Sequence, residues 1–538
     1  MALAETTRAG VEAELREAIR TGQLVDLRTG DPVADDPAHG AGWDAQRTVA
    51  AVLLAELLTS AEGPRRPRAL RLAGARVVGQ LDLEATALVC PLLLHGCWFA
   101  EPVNLAEARA PAIRLPGCHL PGLSADQLTT SGNLELDEGF TATGEVGLLG
   151  AHIGGQLILS GAGLSNPGGP ALAADQLTVG QDLFCRNGFS ARGEVRLLGA
   201  HIGGQLSLRG ASLSNPDGLA LNADQLTVDQ GVHCSEGFKA DGEVRLPGAH
   251  IRGQLAFHGA TLHNPDGFAL VADKLTVDHD VFFQEGFSAT GEVRLVGAHI
   301  GGQLNFRGAT LTNLDGRALN AQELRAGPLI LSDLTKPPER VDLTHAKVGT
   351  LGDAPASWPT QSILDGFVYD ALYENRLVSA RERLGWLARN PQGYTPQPYE
   401  QLAAVYRRAG RDHDARTVAI AKQWRRRRML TPLGKLWNLM LYATVGYGYR
   451  MWLTIAWLLV LVGLGWWAFD RAYPAHLVAA KPPGQRPPFH AALYALDLLL
   501  PFADSATRAP GSGPGRPGGC SWGGTWPVGC SRPPWWLR

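Results

Sequence analysis

Four histidines, His152, His201, His250 and His299, recur at a fixed interval of 49 residues. Imidazole is a common metal ligand, so a repeated histidine is the first place to look for a metal centre. Zinc needs every ligand nitrogen within about 2.1 Å of one ion. Copies of one unit meet that demand only if the fold brings them to a point. A companion series, Glu145, Glu194, Glu243 and Glu292, forms a catalytic carboxylate pair only on the same condition. Other signatures are weaker. "GAGLSNPGG" at 161–169 has the glycines of a dinucleotide loop at the wrong spacing, and neither a Walker loop nor an H-E-x-x-H occurs. "GCSWG" at 519–523 matches G-x-S-x-G, but its Gly/Pro-rich surroundings provide no strand to hold a nucleophile. Thr444-Val445-Gly446-Tyr447-Gly448 reads like a potassium-channel filter, which requires membrane helices on both sides of it.

The elements that carry these residues are repeats. "GAHIGGQL" begins at Gly150 and Gly199, returns as "GAHIRGQL" at Gly248 and recurs at Gly297. Phe140, Phe189, Phe238 and Phe287 keep the same step, as do Asp126, Asp175, Asp224 and Asp273. Within a unit, V-x-L and L-x-L runs alternate with Gly-Ala pairs, which means short strands joined at corners. The pattern predicts a mainly β fold, a parallel β-solenoid with two coils per 49-residue unit. A leucine-rich-repeat horseshoe is the alternative, but the regular asparagine of that repeat is missing. Coils stack about 4.8 Å apart, so equivalent histidines lie about 10 Å apart and cannot share an ion. The glutamates read as a solvated face for the same reason.

Degenerate copies, "LAGARVVGQLDL" at 72–83 and "LTHAKVGTL" at 343–351, set the solenoid at 66–352. Residues 1–65 are expected to form an N-terminal helical cap, with "TVAAVLLAELL" at 48–58 as the capping helix. "NPDG" at 215–218 and 264–267 has the composition of a type I turn. A helical region over 353–430, opening at Pro359, contains a tetratricopeptide-like hairpin at 398–423.

The charge is divided along the chain. Residues 1–414 carry a net −14 and residues 415–538 a net +12. The basic end also holds 18 uncharged residues, Trp452 to Phe469, close to the ~20 needed to cross a bilayer. A membrane segment is therefore expected over 431–504, with a transmembrane helix at 452–469. Arg425, Arg426, Arg427, Arg428 and Lys435 precede it and are the expected membrane-surface residues. By the positive-inside rule they keep the bulk of the chain in the cytoplasm, against an anionic inner leaflet. The partner of the basic end is thus the lipid bilayer of the inner membrane, not nucleic acid. The first residues have no apolar run of a signal peptide. Seven cysteines without a CxxC pair read as free thiols in a reducing compartment. "FHAALYALDLLLPFA" at 489–503 is too short to span alone and is expected at the outer interface. The polar stretch before Thr444 leaves no room for a first channel helix, so an ion channel is the weakest reading.

In combination, "ALRLAGARVVGQLDL", the "GAHIGGQL" repeats, "PQPYEQLAAVYRRAGRDHDAR", "TVGYGYR" and "ALYALDLLLPFAD" resemble an actinobacterial-type family of membrane-associated proteins over residues 1–504. Its members are often labelled membrane-associated oxidoreductase. That resemblance implies redox activity, and it brings no catalytic or cofactor motif to transfer. It also implies a second membrane helix after "LDLLLP". Residues 505–538, with no acidic residue and many Gly, Pro and Arg, instead read as a disordered tail from a gene translated out of frame. The residues themselves point to a membrane-tethered repeat scaffold that binds another protein and has no catalysis of its own. Membrane-associated oxidoreductase is the alternative. No catalytic residue, cofactor or metal is predicted.

Overall fold

A strand of two or three residues is too short to be stable alone, and it persists only when coils before and after satisfy its backbone. The computed structural model describes residues 2–60, 67–314, 316–373, 378–427, 430–445, 447, 451–472 and 490–499. Its first unit, up to Lys435, is dominated by a parallel β-solenoid of about 13 turns. One coil shows the plan. Thr129–Thr130 lies on a first face, Leu134–Glu135 on a second, Thr141–Ala142 on a third and Val146–Gly147 on a fourth. The next coil repeats them in parallel register: Thr129 opposite His152, Leu134 opposite Leu157, Thr141 opposite Gly163 and Val146 opposite Leu172. Two coils make one 49-residue unit. Gln156 reaches back 23 residues to Asn133 and forward 26 to Asp182, so a short and a long coil alternate.

Size alternation fills the axis. One inward column runs Phe140, Ala162, Phe189, Ala211, Phe238, Ala260, Phe287 and Ala309, all buried, so the rings of Phe189, Phe238 and Phe287 each lie between two methyls. Such pairing of large with small keeps the interior dense without strain. Cys97 and Cys118 take this column's place in the earlier coils, and both are buried free thiols, as are Cys90, Cys185 and Cys234. A second column stacks Phe257 on Phe283 at 5.2 Å and Phe283 on Phe306 at 4.9 Å.

The stack is longer than 66–352. It begins at Leu24–Asp26, paired with Leu70–Ala73, and ends at Val368–Leu372, paired with Lys347–Asp353. Pro359 therefore does not open a helical region; Gln361–Ile363 still adds a strand. These end coils contribute single inward residues such as Val25 and Tyr369, with no repeat motif around them. The capping helices close both ends, where an open ladder would recruit further strands. Helix α1 (Ala2–Thr21) buries Leu15 and Ile19, and α2 (Ala51–Thr59) buries Leu54 and Leu58. The predicted helix at 48–58 thus yields its first residues to a strand, Thr48–Ala50. At the other end come α3 (Ala380–Leu387), α4 (Gln397–Arg408) and α5 (Asp412–Arg426), the last two forming the expected hairpin. Ser379 and Glu382 cap α3 reciprocally. Arg383 of α3 and Asp353 of the solenoid form an ion pair with side chains only 4% and 3% exposed, and the Trp358 indole also donates to Asp353 at 2.8 Å.

Helix α6 (Pro432–Val445) leads into the second unit, which contains α7 (Met451–Ala472) and α8 (Ala491–Leu499). Trp452–Ala472 is long and apolar enough to cross a membrane. Helix α8 packs against α7, with Tyr494 edge-on to Phe469 at 5.0 Å and Ala495 over Gly465. Within the segment expected at the outer interface, then, the described residues lie on α7. Thr444 and Val445 belong to α6, and the Tyr447 hydroxyl bonds Asn438 at 2.6 Å. Helical backbone at this point differs from the extended carbonyl ladder of a filter. Gly446, Gly448, residues 61–66, Arg428 and the tail from 505 lie outside the described residues.

Candidate interaction surface

The register separates the histidines. On the first face each stands opposite threonines, in the order His152, Thr178, His201, Thr227, His250, Thr276, His299. Successive histidines are thus two coils apart. His201 lies 3.3 Å from Asp229 and His250 3.2 Å from Asp278, each aspartate on the following coil. The glutamates are more engaged than a solvated face implies. Glu194 and Glu292 accept from the amides of Asn222 and Asn320 at 3.1 and 3.0 Å, and Glu243 pairs with Arg245 at 3.2 Å. The aspartate series completes this fourth face. Asp175, Asp224 and Asp273 hold Arg196, Arg245 and Arg294 of the next coil, the last two at 2.9 Å. Asp126 stands beside Gly147, where later units carry that arginine, and accepts instead from the Leu149 amide at 2.9 Å.

Between the third and fourth faces, every second coil from Gly163 to Asn320 bulges outward. Gly163–Ala173, Ser212–Asn222 and Thr261–Val271 run as long strands whose register breaks at the "NP" step. The predicted turn is therefore a bulge within a strand. A side-chain amide braces each bulge from inside: Asn166 donates to the Pro170 carbonyl at 2.8 Å, Asn215 to Leu219 at 2.9 Å and Asn264 to Phe268 at 2.9 Å. Asn313 repeats this with Arg317 at 2.8 Å. The coil beneath must be flat to receive each bulge. Gly193, Gly242 and Gly291, the glycines of "GEV", adopt φ of 114°, 117° and 115°, and a Cβ on any of them would press into the overlying carbonyls. The tips, Pro167-Gly168, Pro216-Asp217, Pro265-Asp266 and Leu314, are exposed. The outcome is a row of rigid knuckles about 10 Å apart along one edge, alike in their bracing, with the same Pro-Asp tip on the two middle ones and different tips on the outer two.

Of the expected membrane-surface residues, Arg426 and Lys435 are exposed. Arg425 is partly engaged elsewhere, its guanidinium 5.8 Å over the Tyr399 ring, and Arg427 lies over Trp424 at 4.4 Å. A concavity of about 440 Å³ is lined by Gly297, Glu323, Arg325, His345, Lys347 and Gly366. Its walls are polar and offer no apolar slot for a flavin ring, so these residues do not fit that cofactor. Sequence reading missed the knuckles' bracing, although the recurring Asn in "SNPGG", "SNPDG", "HNPDG" and "TNLDG" is its signal. No protein-family model, curated protein or solved structure matches the chain.

Proposed function

We propose that this protein is a membrane-tethered scaffold whose solenoid, on the cytoplasmic side of the inner membrane, binds an extended protein partner along its row of knuckles. The observation that supports it best is the row itself. Four braced bulges on one edge give regularly spaced, pre-organised contact points, which reduce the ordering cost of binding. Both ends of the stack are covered by helices, which leaves its lateral surfaces for recognition. The acidic balance of residues 1–414 favours a basic or neutral partner over nucleic acid or the inner leaflet. Helix α7, preceded by Arg425, Arg426 and Arg427, supplies the tether, and the positive-inside rule gives its orientation. Photo-crosslinking in cells tests the reading. A probe at Asp217 or Asp266 should trap one recurrent polypeptide, whereas a probe at Thr178 on the first face should not. Equal capture from both positions, or none from either, contradicts it.

A further inference from the structure

The first face changes character at its C-terminal end. The column of histidines and threonines gives way to Arg325, opposite His299, and then Lys347, opposite Arg325. Two obligate cations in register on neighbouring strands lie about 5 Å apart, and like charges so placed repel. Elsewhere the solenoid resolves such positions with carboxylates, as in the arginine–aspartate ladder of the fourth face and the aspartates beside His201 and His250. Here that compensation is withdrawn. The position equivalent to those aspartates beside Arg325 is Gly349, and the one beside Lys347 is Asp370, which is paired with Arg408 of α4 at 3.1 Å. Among the described residues neither Arg325 nor Lys347 makes an ion pair, although both are exposed and border the 440 Å³ concavity.

The adjoining corner is held in place. His345 has a left-handed backbone, φ 57°, and its ring lies so close over Gly366 that a Cβ there would overlap the imidazole. Gly366 in turn donates its amide to Gln397 of α4 at 3.1 Å, which ties the corner to the helical cap. One carboxylate, Glu323, shares the lining. With histidine neutral the concavity therefore carries a net single positive charge, and with histidine protonated a double one.

We infer that Arg325, Lys347 and His345 form a binding site for a phosphate dianion, either a free phosphomonoester or the headgroup of a phosphatidic-acid-type lipid. Guanidinium offers a planar fork to phosphate oxygens and ammonium a point charge, so the pair matches a tetrahedral dianion. The anion also relieves the repulsion between them. The lipid source rests on the membrane-tethered reading; the free anion does not.

Calorimetric titration of the full chain in detergent tests the site, with inorganic phosphate, water-soluble dihexanoyl phosphatidic acid and dihexanoyl phosphatidylserine as probes. Saturable binding of phosphate is expected below about 10 mM. Arg325→Ala/Lys347→Ala should weaken it at least about tenfold, the loss of charge-assisted hydrogen bonds. Arg294→Ala, at a paired arginine, should leave it unchanged. Should the double variant fail to fold, Lys347→Gln keeps the stem and should still weaken binding, while Glu323→Gln should strengthen it. Phosphatidic acid binding about tenfold tighter than phosphate identifies a lipid headgroup, and equal binding of the two identifies the free anion. Binding of phosphatidylserine as tight as that of phosphatidic acid would overturn the preference for a dianion. No saturable phosphate binding, or binding indifferent to Lys347→Gln and Glu323→Gln, overturns the site.

Discussion

Gly242→Ala is the sharpest test of how the knuckles are built. Gly242 has φ 117°, and an added methyl would press on the carbonyl oxygen of Asn215 and come within 2.9 Å of that of Gly218. The backbone strain alone costs about 1–3 kcal/mol. Overpacking against the Asn215 and Gly218 carbonyls adds about 1–3 kcal/mol, and displacing the bulge forfeits the hydrogen bond from the Asn215 amide to the Leu219 carbonyl, about 1 kcal/mol. Gly237 isolates the first contribution, since its φ is 85° and nothing lies within 4 Å of a Cβ there. The difference between the two alanine variants should then be about 2–4 kcal/mol, or about 30- to 700-fold in a local opening equilibrium. Repeat stacks open locally, so hydrogen exchange is the assay, read on peptides covering 211–246 and, as a control, 92–115. Exchange over 211–246 should accelerate far more in Gly242→Ala than in Gly237→Ala, with the control peptide unaffected in both. Equal acceleration in the two variants would refute the claim that close approach dictates glycine in this column.

Further outcomes follow from the packing and electrostatics. Phe283→Ala, which removes the middle ring of the Phe257–Phe283–Phe306 stack, should destabilise by about 3–5 kcal/mol in urea unfolding of the full chain. Arg383→Ala leaves Asp353 buried and unpaired, and should cost about 3–5 kcal/mol and make the junction around 380–387 sensitive to protease. Partial burial, with Glu138 and Glu135 beside it, pushes the Asp137 carboxyl up from 3.8 to about 6. The folded state therefore holds this proton more tightly than the unfolded one, and the associated stability is complete below about pH 4 and lost as pH rises through about 6. Asp137→Asn should flatten that part of the urea-midpoint profile between pH 4 and 7. A cysteine at Asp266 should resist membrane-impermeant maleimide in intact cells, and efficient labelling would reverse the proposed topology.

The middle of the fold could be read from the sequence because "GAHIGGQL" is repeated almost letter for letter, and its period contains two alternations of short strand and corner. The ends could not. Val25 and Tyr369 fill the same kind of inward position, but their coils share no motif with the units between them. The glycine column in "GEV" was visible as a column, whereas its cause lies in a different coil, the bulge that rests on it. Arg325 and Lys347 look unrelated in the chain; only the coil length that places them in register makes them neighbours. The helix at α7 was plain from its apolar run, and the packing of α8 on it was not, because nine residues with an alanine at Ala491 and Ala495 announce no partner.

We propose that the solenoid binds a protein and performs no chemistry of its own. The direct measurement is the absorption spectrum of the full chain purified from membranes, with mass spectrometry of whatever remains bound in stoichiometric amount. A colourless protein accompanied by one recurrent polypeptide, lost when Asp217 and Asp266 are replaced by arginine, is the predicted result. A stoichiometric flavin or haem band, with no bound polypeptide, would contradict it.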